Sequence, residues 1–130
     1  MGKFTDVETG VYGVFGTAEW QAEDILTVPS NFTSLTSDAE FIRVAVIPSS
    51  EGVNRNSVNG ILIIDIFTAA GQGTSRASAI ADKLDDFLSG ETLGGTQCFD
   101  STLVHKAFDA DNKALFRSSY TINFKFFGVN

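Results

Sequence analysis

Gly60-Ile-Leu-Ile-Ile-Asp-Ile-Phe-Thr68, then Ala69-Ala-Gly-Gln-Gly73, then the run from Ala77 to Leu88, decides the fold. Six of the seven residues from Ile61 to Phe67 are apolar, with no proline or internal glycine. Such a β-branched run predicts a strand buried on both faces. Gly71 and Gly73 end it. The next apolar residues are Ala77, Ile80, Ala81, Leu84, Phe87 and Leu88, one stripe of a 3.6-residue period and so a helix. Thr74 or Ser75 is expected to cap its N-terminus, and Gly90 to take the left-handed position past its end. Asp82, Lys83, Asp85 and Asp86 fall opposite the stripe and are expected to be solvated. The helix should therefore lie on a sheet with one wet side.

Upstream, Phe41-Ile-Arg-Val-Ala-Val-Ile47 is a strand stopped by Pro48. Ile42, Val44 and Val46 share one face; Phe41, Arg43, Ala45 and Ile47 share the other. The polar stretch Ser49 to Val58 joins it to the Ile61 strand, which suggests an antiparallel pair. Residues 4 to 15 read as a helix capped by Thr5 or Asp6, with Val7, Val11, Val14 and Phe15 on one face. Gly10 and Gly13 weaken it, by up to ~1 kcal/mol each. Trp20 sits where that helix ends. Residues 21 to 40 read as a long loop anchored by Ile25, Leu26, Val28 and Phe32.

Downstream, Glu91 to Gly95 is a linker, Thr96 to Phe99 a short strand and Thr102 to Phe108 a better one. Asp109-Ala-Asp-Asn112 is a turn. Ala114 to Phe127 is the last strand, with Tyr120, Ile122, Phe124 and Phe126 alternating against Ser119, Thr121, Asn123 and Lys125. The expectation is a single α+β domain over residues 1–130: an antiparallel (mixed) sheet of about four to five strands with two helices packed on one face. If Leu62, Ile64 and Ile66 meet the helix, then Ile61, Ile63 and Phe67 face away with Asp65 and need another cover. The chain's own loop and a second subunit are both open as that cover.

A chain of 130 residues buries roughly two-thirds of its unfolded surface, enough for a core without staples. Net charge is −7, which argues against nonspecific binding to nucleic acid or anionic membrane. Cys98 is the lone cysteine, so no intrachain disulfide forms and a reducing compartment is expected. Met-Gly-Lys-Phe-Thr-Asp6 shows neither a signal-peptide run nor the myristoylation pattern. No run approaches the ~20 apolar residues of a membrane span.

The chemistry-bearing residues are few. Gly71-Gln-Gly73-Thr-Ser75 between strand and helix resembles a phosphate cradle, but Arg76 stands where a third fingerprint glycine belongs and no P-loop lysine is present. His105 and Cys98 are too few for a metal set. They read as a solvent-facing strand residue and a small core residue; spacing alone leaves a Cys–His nucleophile pair open. Asp109, Asp111 and Asn112 open like a calcium loop, but Ala114 and Tyr120 replace its glycine and glutamate. No catalytic, cofactor or metal residue is assigned, and the chain reads as a non-enzyme.

The order of Phe41–Pro48, a polar loop, Gly60–Thr68, Gly71-Gln-Gly73-Thr and the Ala77–Leu88 helix resembles the tail terminator (tail completion) proteins of long-tailed bacteriophages. Similar proteins open with a short helix leading to a tryptophan and an Asn-x-x-x-Pro-like loop. Trp20 and Pro29-Ser-Asn-Phe32 sit in that region in altered order. The resemblance spans roughly residues 4 to 127 and is weakest in the N-terminal third. It implies a virion protein, assembled in the bacterial host cytoplasm. There it would cap the head-proximal end of the tail tube as a homo-hexameric ring, stop tube polymerisation and present a surface to head-completion (neck) proteins. It implies no cofactor and no membrane; DNA passes through the lumen without specific binding. Ile61, Ile63, Asp65, Phe67 and Arg43 are the candidate subunit interface. Glu51, Asn54, Arg55 and Asn56 are the candidate tube- or neck-contact loop, with Asn31–Glu40 a second exposed loop. Another tail or neck component, a tube or head–tail connector subunit, is the alternative; a small nucleotide- or phosphate-binding domain using Gly71 and Gly73 is a further one.

Overall fold

A computed structural model describes residues 3–23, 25, 27–29, 40–48, 58–69, 74–93, 95–108 and 115–126. Within them, three helices and six strands follow the order α1 (Lys3–Phe15), α2 (Ala18–Gln21), β1 (Thr27–Pro29), β2 (Phe41–Pro48), β3 (Val58–Ala69), α3 (Ser75–Leu88), β4 (Thr92–Leu93), β5 (Thr96–Phe108) and β6 (Leu115–Phe126). The strands form one mixed sheet in the order β1-β2-β3-β6-β5-β4. Among the described strands only the β1–β2 pair is parallel. The architecture mixes helix and strand as expected, but the sheet has six strands rather than four or five.

β3 lies at the centre because it is apolar on both sides. It pairs antiparallel with β2, with Ile42 opposite Ile66 and Val44 opposite Ile64. On its other edge Leu62 meets Ile122 and Ile64 meets Tyr120. Directly opposed residues share a face, so these side chains form one apolar surface. They are fully buried in a cluster with Val7, Val11 and Phe15 of α1 and with Ala77, Ile80, Leu84 and Leu88 of α3. Each such side chain contributes roughly 1.5–3 kcal/mol by leaving water. Trp20 closes the end of this core. Its ring meets Phe15 and Phe87 edge to face, both at 5.1 Å, and its Nε1 donates to Thr27 Oγ1 at 3.0 Å.

Several local expectations are corrected. The stretch from 21 to 40 holds β1, and the expected linker at 91–95 holds β4. Strands of three and two residues are too short for alternation to register. Thr96–Phe99 and Thr102–Phe108 are one strand, with register shifts between Cys98 and Ser101 and between His105 and Ala107; the first bulge breaks the alternation that separated them. Thr5 and Asp6 lie inside α1 rather than capping it. Thr74 occupies the N-cap of α3 without a side-chain bond, and Ser75 is already helical. Trp20 sits in its own turn, α2, where Thr17 Oγ1 accepts from the Trp20 N–H at 3.2 Å. Gly90 is left-handed (φ 74°) as expected. Gly71, Gly73, the 109–112 turn, Leu26 and Phe32 lie outside the described residues.

Two glycines on α1 have opposite roles. A Cβ at Gly10 would lie 2.3 Å from the Leu93 carbonyl oxygen, whereas one at Gly13 meets nothing within 4 Å. Gly10→Ala is expected to lower stability by about 1–3 kcal/mol through overpacking. Gly13→Ala should raise it by about 0.5–1 kcal/mol through helix propensity. Urea midpoints of the two variants should therefore move in opposite directions.

Candidate functional site

Outward-facing residues on β2, β3 and β6 build the second face of the sheet. Register sets Arg43 opposite Asp65 and Phe41 opposite Phe67, then Asp65 opposite Ser119 and Phe67 opposite Arg117. At one end Val28, Phe41, Phe67 and Leu115 form a separate buried cluster. Phe41 and Phe67 stack at 4.5 Å with planes 15° apart. The Arg43 guanidinium sits 5.1 Å from the Phe67 ring centre and 5.9 Å from that of Phe41, where the ring quadrupoles attract a cation.

Asp65, 9% exposed, has its charge matched on the spot, as a buried carboxylate must. Ser119 Oγ donates to its Oδ1 at 2.8 Å and Arg117 donates to its Oδ2 at 3.0 Å. The Nε atoms of Arg43 and Arg117 are buried without a hydrogen-bond partner among the described residues.

Toward the other end the face opens. Ile47 and Phe99 are 44% and 40% exposed, and Ile61 and Ile63 are half-buried. Ile47, Ile61 and Phe99 line a groove of about 650 Å³ with Asn59, Asn123 and Lys125. Of the five interface candidates, Asp65 and Phe67 are thus closed off within one chain, while Arg43, Ile61 and Ile63 keep partial access. Glu51, Asn54, Arg55 and Asn56 lie outside the described residues. Sequence reasoning placed Ile47 beside Arg43 on this face but missed Arg117, Ser119 and Phe99 as parts of it. The alternation of β6 already held the first two on its polar side; what it lacked was the β3–β6 register.

The chemistry-bearing residues on the helix side are engaged structurally. Asp85 is not on a wet face: Tyr120 and Ser101 both donate to its Oδ1 at 2.5 Å. Its place four residues after Ala81 puts it on the flank of the buried stripe. Arg76 grips Glu40 through both Nε and a terminal nitrogen, at 2.9 and 2.6 Å, and this hydrogen-bonded pair raises its pKa. The arginine at the start of α3 is therefore neutralised by a carboxylate. Cys98 is buried, and His105 is exposed, its Nδ1 2.9 Å from Ser118 Oγ. Seven positions apart on one strand, they are separated by roughly 20 Å, so they form no nucleophile pair. Among the described residues no three His, Cys, Asp or Glu side chains gather as a metal site, and no helix is long and apolar enough to cross a membrane.

No family model and no curated protein matches the chain. Among solved structures, one protein that carries only a reference number for a name matches over 93% of this chain and 90% of its own, with 13% identity and a TM-score of 0.56. That likeness concerns the fold alone.

Two buried acids set an alkaline limit. Burial, then the Glu91 charge, pushes the Cys98 thiol from 9.0 up to about 11. Burial and the bond to Asp85 push the Tyr120 hydroxyl upward as well. Both groups hold their protons more tightly when folded, so their contribution is complete below about pH 9 and is lost as pH rises through the folded pKa. Stability measured by urea should fall from pH 9 upward, the thiol share being of the order of 2–3 kcal/mol. Cys98→Ala should flatten the fall between pH 9 and 11.

Proposed function

We propose that the chain is a structural subunit that closes the head-proximal end of a bacteriophage tail tube as a ring, stops tube polymerisation and offers its exposed surface to head-completion proteins. The order of strand pair, glycine-rich turn and helix that resembles tail terminators supports this reading. The observation that carries it is the open half of the sheet's outer face, where Ile47, Ile61 and Phe99 line a groove behind which no helix of the described residues packs. Helices on one face, and an opposite face that no described helix covers, give a subunit two unlike surfaces. Unlike surfaces join head to tail, and such contacts close into rings when the rotation allows. Exposed apolar groups of this kind mark protein contacts more often than isolated surface residues do. Two charged residues of α3 are held in structural bonds, Asp85 by Tyr120 and Ser101 and Arg76 by Glu40. The subunit would be homo-hexameric, resident in the virion tail, and would pass DNA through its lumen without gripping it, in keeping with its net charge of −7.

A tube or connector subunit would use the same face, because a head-to-tail contact that fails to close gives an open polymer. Light scattering across concentration, with negative-stain images, separates the two. A closed ring of about six subunits is expected, and long tubes would favour the tube subunit. Ile61→Asp, which puts a charge into the groove, is expected to abolish the ring while leaving the unfolding free energy from urea titration within about 1 kcal/mol of the parent. A chain that stays monomeric at every concentration, with tail-tube subunits added, would overturn the ring.

A further inference from the structure

On the three central strands β2, β3 and β6 the outer face carries Arg43, Arg117 and Lys125 against Asp65 alone. Three cations and one carboxylate make +2 in a chain of net charge −7, leaving −9 for everything else. This face, on which no helix of the described residues packs, thus carries a net positive patch in an acidic chain. Asp65 is already bonded to Arg117 and Ser119, whereas Arg43 lies on two phenylalanine rings and its guanidinium forms no ion pair among the described residues.

A matching surface exists on the opposite side of the same molecule. The core side of α3 is Ala77, Ile80, Ala81, Leu84 and Leu88. Its outer side exposes Asp82 and Asp86, one turn apart and therefore neighbours. The other charged groups of that helix are engaged elsewhere: Lys83 with Glu23, Arg76 with Glu40, and Asp85 with Tyr120 and Ser101. Asp82 and Asp86 thus face outward as two carboxylates with no cation of their own helix pairing them.

The geometry points to a second copy of this chain as the occupant of the outer face. The neighbour's α3 lies across β2, β3 and β6, its Asp82 and Asp86 against Arg43 and the exposed part of Arg117. This inference rests on the ring reading and adds the pairing of surfaces that would build the ring. Helix side onto sheet side is heterologous, as a ring requires, and charge complementarity sets its register.

Charge reversal tests the pairing, with solution mass as the readout. Asp82→Arg with Asp86→Arg changes two exposed helix positions, so the subunit should fold as before; association is expected to weaken at least about tenfold. Arg43→Asp should do the same, and the triple variant should regain most of the lost association. High salt should weaken the wild-type assembly. An assembly indifferent to the Asp82 and Asp86 reversal would overturn this pairing and leave the ring standing. A dimer lost on Ile61→Asp but kept on reversal of the acids would mean the outer face meets its own kind, which also overturns it. A wild-type chain that stays monomeric, tube subunits included, would overturn pairing and ring together.

Discussion

The pairing of β3 with β6 is the constraint on which the rest depends. Twelve consecutive register pairs, from Val58 opposite Phe126 to Ala69 opposite Leu115, run without a break. They fix which side chains of two long strands share each face. Every other element attaches to this ribbon: β2 on the free edge of β3, β5 on the free edge of β6, and the α1 and α3 side chains in the cluster on one face. A slip of one residue would turn every apolar side chain of β6 to the wrong face.

Two carboxylates guard that register from opposite sides. Ser119 and Tyr120 are adjacent, so their side chains point to opposite faces. Ser119 donates outward to Asp65, and Tyr120 donates inward to Asp85 of α3. Shifted by one, β6 would turn Ser119 away from the buried Asp65 and leave Asp85 with Ser101 as its remaining donor. Leaving a buried carboxylate unmatched costs more than any one bond contributes. The polar groups next to the core thus discriminate between registers in a way that the interchangeable isoleucines of β3 do not. Gly60 adds a steric check: a Cβ there would lie 2.4 Å from the Ile47 carbonyl oxygen and 2.7 Å from the Phe124 ring. Only a glycine lets β2, β3 and that ring come together.

Long periodic elements were legible in the sequence. The stripe of α3, the two-sided run of β3 and the alternation of β6 each repeat over a dozen residues or so, and their buried sides are as periodicity requires. β1 and β4 were not, because two or three residues hold no period. Asp85 was misread because it sits at the border of the apolar stripe, where spacing assigns no side and only the tyrosine across the gap does. Of the candidate site, the outward direction of Arg43, Ile61 and Ile63 was legible. The closure of Asp65 and Phe67 was not, since it comes from Arg117, Ser119 and Leu115, more than fifty positions down the chain for Asp65.

The sheet's margins carry a separate consequence. β1 is an edge strand that ends in Pro29, a residue without an N–H to offer a further strand. At the opposite margin β4 covers only Thr96 and Gln97 of β5, and the remainder of β5 is interrupted by its two register shifts. Bulges twist an edge away from the flat geometry that recruits another chain. Neither β1 nor the bulged length of β5 is a good template for adding strands among the described residues, so these two margins do not invite cross-β stacking. At these margins the backbone ladders stay within each molecule even where copies are concentrated at one spot.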